Sequence, residues 1–370
     1  MKIMHFAIIL GVILGANCYV LYRIWGMMPP NTVARTVFLV CTLVVVLSPF
    51  IAMFATRAFP MPIVSILYKV GVSWLIMLVY LFLLFLLLDL LRLTHLLPVK
   101  QVLYHNWHSL LCIGVLLSGA MIAGNWKYRN KNRVKLSITV NKSFDNNAPL
   151  KIVALSDLHL GYTIGKGELE KWIGLINAEE PDVVLFAGDI VDNIAQPLWQ
   201  QNMAEEFAKI QSRYGIYAVV GNHEYISGID KSLRFFKEAG IVLLRDSALL
   251  IDDRFYLIGR DDRSNARRKP LAELVASLDK SKPLILLDHQ PYGLNESEKN
   301  GIDFQFSGHT HRGQVWPLSL LTDRIFELSH GYLRKGDSHI YVSSGMGIWG
   351  GKFRIGTQSE YVVIGLNGAK

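Results

Sequence analysis

The segment KIVALSDLHLG, residues 151–161, decides the fold, because a short apolar run in it ends directly in polar side chains. Lys151 to Leu155 has the pattern of a buried strand, and Asp157 and His159 follow it two residues apart. Side chains alternate along an extended backbone, so these two would lie on the same side. A carboxylate and an imidazole at a strand end predict a site at the edge of a sheet, where open α/β sheets place their ligands.

Four further strand-like runs end in the same kinds of side chain. They are Val183 to Ala187 before Gly188-Asp189-x-x-Asp192, Ile216 to Val220 before Gly221-Asn222-His223-Glu224, Leu284 to Leu287 before Asp288-His289, and Asp303 to Phe306 before Gly308-His309-Thr310-His311. A lone Asp after a strand is commonly a turn residue, but five such ends in one chain favour one shared site. A set of carboxylate, amide and imidazole donors without thiolates suits Mn²⁺, Fe or Zn²⁺.

The order of these motifs resembles that of the calcineurin-like metallophosphoesterases over about residues 150 to 367. The resemblance implies a four-layer αββα sandwich, an α/β fold, with two divalent metal ions at the ends of its central strands. It implies two ligand sets that share Asp189 as a bridging carboxylate: Asp157, His159, Asp189 and His311, and Asp189, Asn222, His289 and His309. His223 is implied as the general acid, or as a group that stabilises the transition state, on the leaving-group side.

Hydrolysis of a phosphate bond is the chemistry that such a site performs. Two cations lower the pKa of a shared water, orient it and neutralise charge on the phosphoryl oxygens. A carboxylate between the cations offsets their repulsion, and the neutral Asn222 limits the negative charge that an anionic substrate meets. Asp192 and Glu224 stand outside the implied ligand set, so we expect them either to orient imidazoles or to be turn residues.

The first third of the chain consists of four apolar runs. Hydrophobic residues make up 51% of the sequence and charged residues 18%, against roughly 25% charged residues in soluble domains, which disfavours a disordered or wholly soluble chain. The runs cover 3–22, 33–55, 70–91 and 109–126, and each is close to the roughly 20 residues that cross a bilayer as a helix. A cleaved signal peptide is the alternative for the first run, but no small-residue cleavage pattern follows it.

The apolar runs also bear on the resemblance and on the domain boundaries. Together with the ending Gly345-Met346-Gly347 to Arg354-Ile355-Gly356 and Glu360, they resemble the membrane-anchored bacterial branch of the same family. We therefore predict a four-helix transmembrane domain at 1–126, a basic linker with a first strand at 127–149, and a metallophosphoesterase domain at 150–370. The expected location is the bacterial cell membrane.

Cations beside the spans predict the orientation. Eight Lys or Arg residues flank the spans on the side of the C-terminal domain, against four on the other side, and the positive-inside rule places the larger number in the cytoplasm. Five of the eight lie in 127–135, which we interpret as a solvated flank, with an anionic-lipid site as the alternative. Because the net charge of +8 is concentrated beside the apolar runs, no nucleic-acid partner is expected.

The rest of the soluble part alternates between strand-like and helical runs. Further strands are expected at Phe255 to Ile258, Ile340 to Val342 and Tyr361 to Leu366. Helices are expected at Glu168 to Ala178, Leu198 to Arg213 and Ile229 to Ala239.

Two groups of residues near the motifs allow more than one interpretation. A loop holds the cations Arg260, Arg263, Arg267, Arg268 and Lys269. We interpret them as solvated, with a grip on a phosphate or headgroup as the alternative. Four aromatic residues follow, namely Trp316, Phe326, Trp349 and Phe353. We expect them in the core or at its rim, with an acyl groove as the alternative.

The leading functional hypothesis is a membrane-anchored, two-metal phosphoesterase that hydrolyses phosphate ester, phosphodiester or pyrophosphate bonds. Its most specific form acts on a lipid-linked substrate such as UDP-2,3-diacylglucosamine at the lipid bilayer, and its alternative is a general phosphodiesterase. A non-catalytic sensor or scaffold is disfavoured because every ligand position keeps a donor side chain. A transporter is disfavoured because the spans contain almost no ionisable residue, and Asp89 and Arg92 are interpreted as an interfacial pair.

Overall fold

The computed structural model describes residues 2–54, 58–95, 98–142 and 149–369. The chain divides into two compact units, Met1–Asn125 and Trp126–Lys370. The first unit contains α1 (Lys2–Met27), α2 (Thr32–Phe54), α3 (Met61–Leu93), α4 (Val99–Leu103) and most of α5 (Trp107–Arg129). All of these except α4 are long and apolar enough to cross a membrane. Since a helix satisfies its own backbone hydrogen bonds, as a bilayer requires, the chain is a membrane protein.

The predicted spans fall within α1, α2, α3 and α5, apart from Ala55, which lies outside the described residues. The predicted pairing of Asp89 with Arg92 is wrong. Asp89 Oδ2 lies 2.5 Å from Arg23 Nη2 and accepts a hydrogen bond from the Tyr19 hydroxyl, whereas Arg92 donates to the Tyr104 hydroxyl at 3.2 Å. Arg23 is buried and needs a counter-charge. The Asp89 carboxylate of α3 supplies it to Arg23 of α1.

The second unit forms two six-stranded sheets from its described residues. In chain order the strands are β1 (Asn132–Val140), β2 (Leu150–Leu155), β3 (Val183–Ala187), β4 (Ile216–Val219), β5 (Val242–Leu243), β6 (Ser247–Ile251), β7 (Phe255–Gly259), β8 (Leu284–Leu287), β9 (Phe304–Ser307), β10 (Gly331–Lys335), β11 (Ser338–Val342) and β12 (Glu360–Gly368). The sheet orders are β1-β12-β2-β3-β4-β5 and β10-β11-β9-β8-β7-β6. Strands β2 to β4 are parallel, as are β7 to β9, so the polar loops after each set meet at one edge.

Helices cover the outer faces of both sheets. They are α6 (Lys166–Ala178), α7 (Gln196–Gln200), α8 (Ala204–Phe207), α9 (Asn222–Ile226), α10 (Ile229–Glu238), α11 (Leu271–Val275), α12 (Asn295–Asn300) and α13 (Leu318–Ile325). Because side chains alternate along a strand, Phe186 of β3 packs with the helices, while Val183 belongs to the core between the sheets with Phe304. Beyond the second sheet, Leu284 packs with Leu271 of α11. The predicted αββα sandwich is confirmed.

Two local predictions differ from the structure. The helix expected over Leu198 to Arg213 is wrong, because Asn202 adopts a left-handed φ of 51° that separates α7 from α8. The segment 127–135 is not simply a solvated flank. Its last residues begin β1, which pairs in parallel with β12, Arg133 pairs with Glu179, and Tyr128 at the end of α5 is buried.

Candidate metal centre

The five predicted strand ends converge at one edge of the sandwich. The loops after β2, β3 and β9 hold their polar residues in a left-handed backbone, with φ of 54° at Asp157, 47° at His159, 53° at Asp189, 73° at His309 and 49° at His311. Such a conformation costs a non-glycine residue about 1–2 kcal/mol. Strain of this kind persists where the surrounding structure fixes it, and it clusters at functional sites.

One group of donors consists of Asp157, His159 and His311. His311 Nε2 lies 3.5 Å from Asp157 Oδ1 and 3.0 Å from His159 Nε2. All three side chains are buried. Burial lowers the pKa of His311 well below the usual value, and the nearby His159 adds to this. A neutral imidazole has a lone pair to offer, so this group can hold a cation.

A second group contains Asp189, Asn222, His289 and His309. His289 Nε2 lies 3.2 Å from Asp189 Oδ2 and 3.3 Å from Asn222 Oδ1, and the rings of His289 and His309 are 5.1 Å apart. His289 Nδ1 donates to the carbonyl of Ala187 at 2.7 Å. That hydrogen bond fixes the tautomer and leaves Nε2 directed into the site.

Asp189 stands between the two groups. Its Oδ2 lies 3.7 Å from His159 Nε2 and 3.2 Å from His289 Nε2, and its Oδ1 accepts from the backbone N–H of His223 at 2.9 Å. Burial would raise the pKa of Asp189, but the facing imidazoles of His289, His223 and His159 hold it well below the usual value. The carboxylate is therefore ionised and reaches both groups.

His223 and Asp192 form a pair beside the first group. Asp192 Oδ1 lies 3.5 Å from His223 Nδ1 and 3.5 Å from His159 Nδ1. Burial acts against the protonated form of His223, but Asp192 and Asp189 raise its pKa above the usual value. Asp192 thus lies at ion-pair distance from two imidazoles, and its role in orienting them stays a prediction. The same three side chains also lie close enough to hold a cation themselves.

The carboxylate of Glu224 accepts hydrogen bonds from backbone N–H groups. Its Oε2 accepts from the N–H groups of Gly221 at 2.6 Å and Asp189 at 3.0 Å, and its Oε1 accepts from Val191 at 2.9 Å. Burial raises its pKa to about 6, and the Asp189 carboxylate adds to the shift. Glu224 thus joins the loops after β3 and β4, a role that neither sequence interpretation included.

Arg354 is a further residue of the site whose role the sequence did not predict. Its guanidinium is fully buried and donates to the carbonyls of His311 at 2.7 Å and Gly347 at 3.1 Å, and to Ser359 Oγ at 3.1 Å. Burial lowers its pKa to about 10. The loop that it holds packs on Asp157: a Cβ at Gly345, whose φ is 90°, would lie 3.0 Å from Asp157 Cβ. Arg354 thus fixes two segments around the first group.

The interpretation of the basic loop as solvated is wrong for two of its five cations. Arg260 and Arg268 both pair with the buried carboxylate of Asp288, which precedes His289. A buried carboxylate needs compensation by hydrogen bonds or cations, and these two guanidinium groups supply it. Arg263 lies over the ring of Tyr292, with 4.9 Å from its guanidinium carbon to the ring centroid.

A cavity of about 250 Å³ opens on the site. It is lined by Asp189, Asn222, His223, His309, Thr310, His311, Gly313, Gln314 and Trp349. Of the four aromatic residues, Trp349 lies at the rim of this cavity and Phe326 is buried 6.0 Å from the His309 ring. Trp316 is exposed and Phe353 is half-buried. His159 Nδ1 and His311 Nδ1 have no hydrogen-bond partner among the described residues, and the donor set is one that divalent cations prefer.

Comparisons with known proteins agree with this geometry. The profile of the calcineurin-like phosphoesterase family matches residues 150–313. An uncharacterised metallophosphoesterase of Campylobacter jejuni is 33% identical over 271 residues, which cover 71% of this chain and 70% of the relative. A transmembrane protein with metallophosphoesterase domain from Danio rerio is 30% identical, over 64% of this chain and 57% of the relative.

The extent of the match varies between relatives. An uncharacterised metallophosphoesterase of Aquifex aeolicus is 31% identical over 59% of this chain and 85% of its own length. For the relatives from two strains of Helicobacter pylori, the chain spans 60% of their length. The solved 5'-nucleotidase precursor of Thermus thermophilus covers 54% of this chain and 49% of its own, with 15% identity and a TM-score of 0.37, a likeness too weak to bear on substrate.

Proposed function

The chain belongs to the calcineurin-like metallophosphoesterases, and we propose that its second unit holds two divalent cations with which it hydrolyses a phosphate ester, phosphodiester or pyrophosphate. The observation that carries the proposal is the position of Asp189. One oxygen of its carboxylate lies 3.7 Å from His159 and 3.2 Å from His289, which belong to two different donor groups. A single buried carboxylate between two donor groups suits a pair of ions.

The residues that would hold the ions follow from the two groups. Asp157, His159, Asp189 and His311 would hold one ion, and Asp189, Asn222, His289 and His309 the other. Burial lowers the pKa of His309 to about 4, and His289 contributes to this, so its imidazole is neutral and available as a ligand. The absence of thiolate among these donors favours Mn²⁺, Fe or Zn²⁺. When bound, such ions supply positive charge to the phosphoryl oxygens and lower the pKa of water.

The proposed role of the His223 imidazole is to give a proton to the leaving oxygen. It lines the same cavity as Asp189 and His309, and Asp192 and Asp189 keep it in the protonated form that a general acid needs. Asp192 would hold the ring in position through Nδ1, leaving Nε2 for the substrate. The backbone N–H of His223 donates to Asp189, so the acid and the bridging carboxylate keep a fixed spacing.

A lipid-linked substrate, such as UDP-2,3-diacylglucosamine, stays a prediction, as does a cytoplasmic active site in the bacterial cell membrane. The four apolar helices and the exposed Trp349 at the rim of the cavity favour an amphiphilic substrate. We expect kcat/KM in mixed micelles to be more than about tenfold higher for an acylated than for a deacylated headgroup, which is roughly 1.4 kcal/mol of transition-state discrimination. A smaller ratio would favour the general phosphodiesterase.

The central test is hydrolysis by the detergent-solubilised full chain after dialysis against Mn²⁺, Fe²⁺ or Zn²⁺. Bis(p-nitrophenyl) phosphate and p-nitrophenyl phosphate separate diester from monoester activity. Asp189→Asn should abolish turnover and lower the metal content of the purified protein. Asp230→Asn, at an exposed position of α10, is the matched control and should keep both. Turnover that persists in Asp189→Asn would show that the bridging role is wrong.

A further inference from the structure

Helix α13 has an inverted pattern for a surface helix. Its apolar side chains point outward, with Leu320 58%, Leu321 56% and Ile325 54% exposed, while Ser319 is buried. A helix on a soluble domain normally buries its apolar stripe and exposes polar residues. Among the described residues of the second unit, thirteen large apolar side chains are exposed, and five of them lie within residues 316–325. We call this α13 surface after its members: Trp316, Leu318, Leu320, Leu321 and Ile325.

The α13 surface is held rigidly next to the metal centre. Gly313 lies two residues after His311 and lines the cavity. A Cβ on it would lie 2.5 Å from the carbonyl of Leu318, so the start of α13 packs directly against it. The backbone N–H of Trp316 donates to the carbonyl of Ile355 at 2.7 Å. The outward leucines are therefore a fixed feature of the fold beside the site.

Charge around the α13 surface is positive. Arg312 and Arg324 are exposed, and among the described residues neither lies within ion-pair distance of a carboxylate. Of the two exposed acids nearby, Glu327 pairs with Lys335, while Asp323 accepts from the neutral Ser329 hydroxyl and keeps its charge, so the two arginines leave a net charge of +1 here. Two unpaired guanidinium groups beside an apolar surface suit the phosphates of lipid headgroups.

We propose that the α13 surface rests in the interface of the lipid bilayer, with its leucines among the upper acyl chains and Trp316 at headgroup depth. Tryptophan, like tyrosine, is enriched at that depth. A bilayer is always near the second unit, because α5 ends at Arg129 and β1 begins at Asn132, so only two residues join an apolar helix to the sandwich. If the proposed function holds, the contact presents the metal centre to phosphate bonds near the headgroups.

Fluorescence quenching in proteoliposomes tests the contact without any catalytic measurement. The chain has three cysteines, Cys18, Cys41 and Cys112, and replacing them with Ala provides a background for Leu320→Cys carrying an NBD label. The matched control is Leu249→Cys, which is 41% exposed on β6 of the same unit. Both are reconstituted full length in phosphatidylethanolamine and phosphatidylglycerol vesicles. Quenchers are a lipid with a nitroxide near its headgroup and aqueous iodide.

The label at position 320 should be quenched by the nitroxide lipid at least about threefold more than the label at 249, with the opposite order for iodide. Equal access of iodide to both labels would overturn the proposal. The proposal would also be overturned if the label were shielded from both quenchers and the shielding disappeared at fewer chains per vesicle. A second copy of the chain would then be what covers α13. Ile325→Cys repeats the test at an exposed position should Leu320→Cys fold poorly. Any of these results leaves the phosphoesterase proposal untouched.

Discussion

The two halves of the candidate metal centre, the donor groups around Asp157 and around Asn222, are braced by opposite charges. The half with Asp157 and His311 rests on the buried guanidinium of Arg354, which donates to backbone carbonyls. The half with Asp189 and Asn222 rests on the buried carboxylate of Glu224, which accepts from backbone N–H groups. A buried charge is tolerated where peptide groups of complementary polarity surround it. The difference shows that these loops are fixed through their backbones, by buried residues that are not among those lining the cavity.

The strongest way to break this comparison is to remove a donor from each half. His311→Ala and His289→Ala should each lower kcat by at least about 10³, since several kcal/mol of charge stabilisation is lost. Each should also reduce the metal content from two ions to one, as measured by plasma mass spectrometry. His95→Ala, at an exposed position of the first unit, is the control. Loss of both ions from either variant would show one cooperative site and remove the distinction between halves.

His223 stands outside both halves, so His223→Gln should keep both ions and slow the reaction by roughly 10² to 10⁴, as for a lost general acid. The loss should be larger for a diester with a poor leaving group, such as methyl, than for one with p-nitrophenol. A good leaving group departs without a proton. Measured kcat values for the two substrates give the comparison, and an equal loss for both would contradict the acid role.

Arg354→Met sharpens the comparison on one side. Without the guanidinium, the carbonyls of His311 and Gly347 lose their buried donor, and we expect the affinity of the first half for its ion to fall by about 10- to 100-fold. The affinity of Arg354→Lys for this ion should lie between those of Arg354→Met and the wild type, because lysine keeps the positive charge but lacks the forked guanidinium donors. Arg324→Met, at an exposed position, should match the wild type. Competition with a metal chelator measures the affinity of each half for its ion. An equal loss of affinity in both halves would contradict the prediction that Arg354 supports only the first.

The smallest effect is expected from Glu224→Gln on the other half. The amide keeps the size and one carbonyl acceptor, but its NH₂ group faces a backbone N–H that previously had a partner. We expect the affinity of the Asn222 half to fall by less than about tenfold, with the other half unchanged. Glu273→Gln, exposed on α11, is the control. A loss of ion affinity confined to the half with Asp157 would show that Glu224 supports that half instead.

Sequence alone could predict the side chains of the site but not their supports. Asp157, Asp189 and His289 directly follow apolar runs, and such runs in a parallel sheet end at one edge, so their convergence was predictable. Arg354 acts on a carbonyl 43 residues away, and no periodicity marks that contact. Arg268 was expected in solvent for the same reason, because its partner Asp288 is distant in sequence and nothing local shows that it is buried.

Secondary structure was predictable to a similar extent. All eight expected strands are present, and most of them are continuous apolar runs that fill a buried sheet, such as Val183–Ala187. Strands β5, β6 and β10 were missed, because β5 has only two residues and the residues of β6 and β10 are mostly exposed or half-buried, unlike those of the buried central strands. The break between α7 and α8 was missed because Asn202 reveals its left-handed backbone only in three dimensions.

The burial of Tyr128 limits how the catalytic part could be released by proteolysis. This residue belongs to α5, yet its ring lies in the core of the second unit and its hydroxyl donates to Glu168 at 2.6 Å. Glu168 also pairs with Lys352. A protease that cut between α5 and β1 would take Tyr128 away with the membrane helix, so the second unit would lose a buried side chain of its core and the hydroxyl that donates to Glu168. Shedding of an intact enzyme therefore requires cleavage before residue 128, within the helix itself.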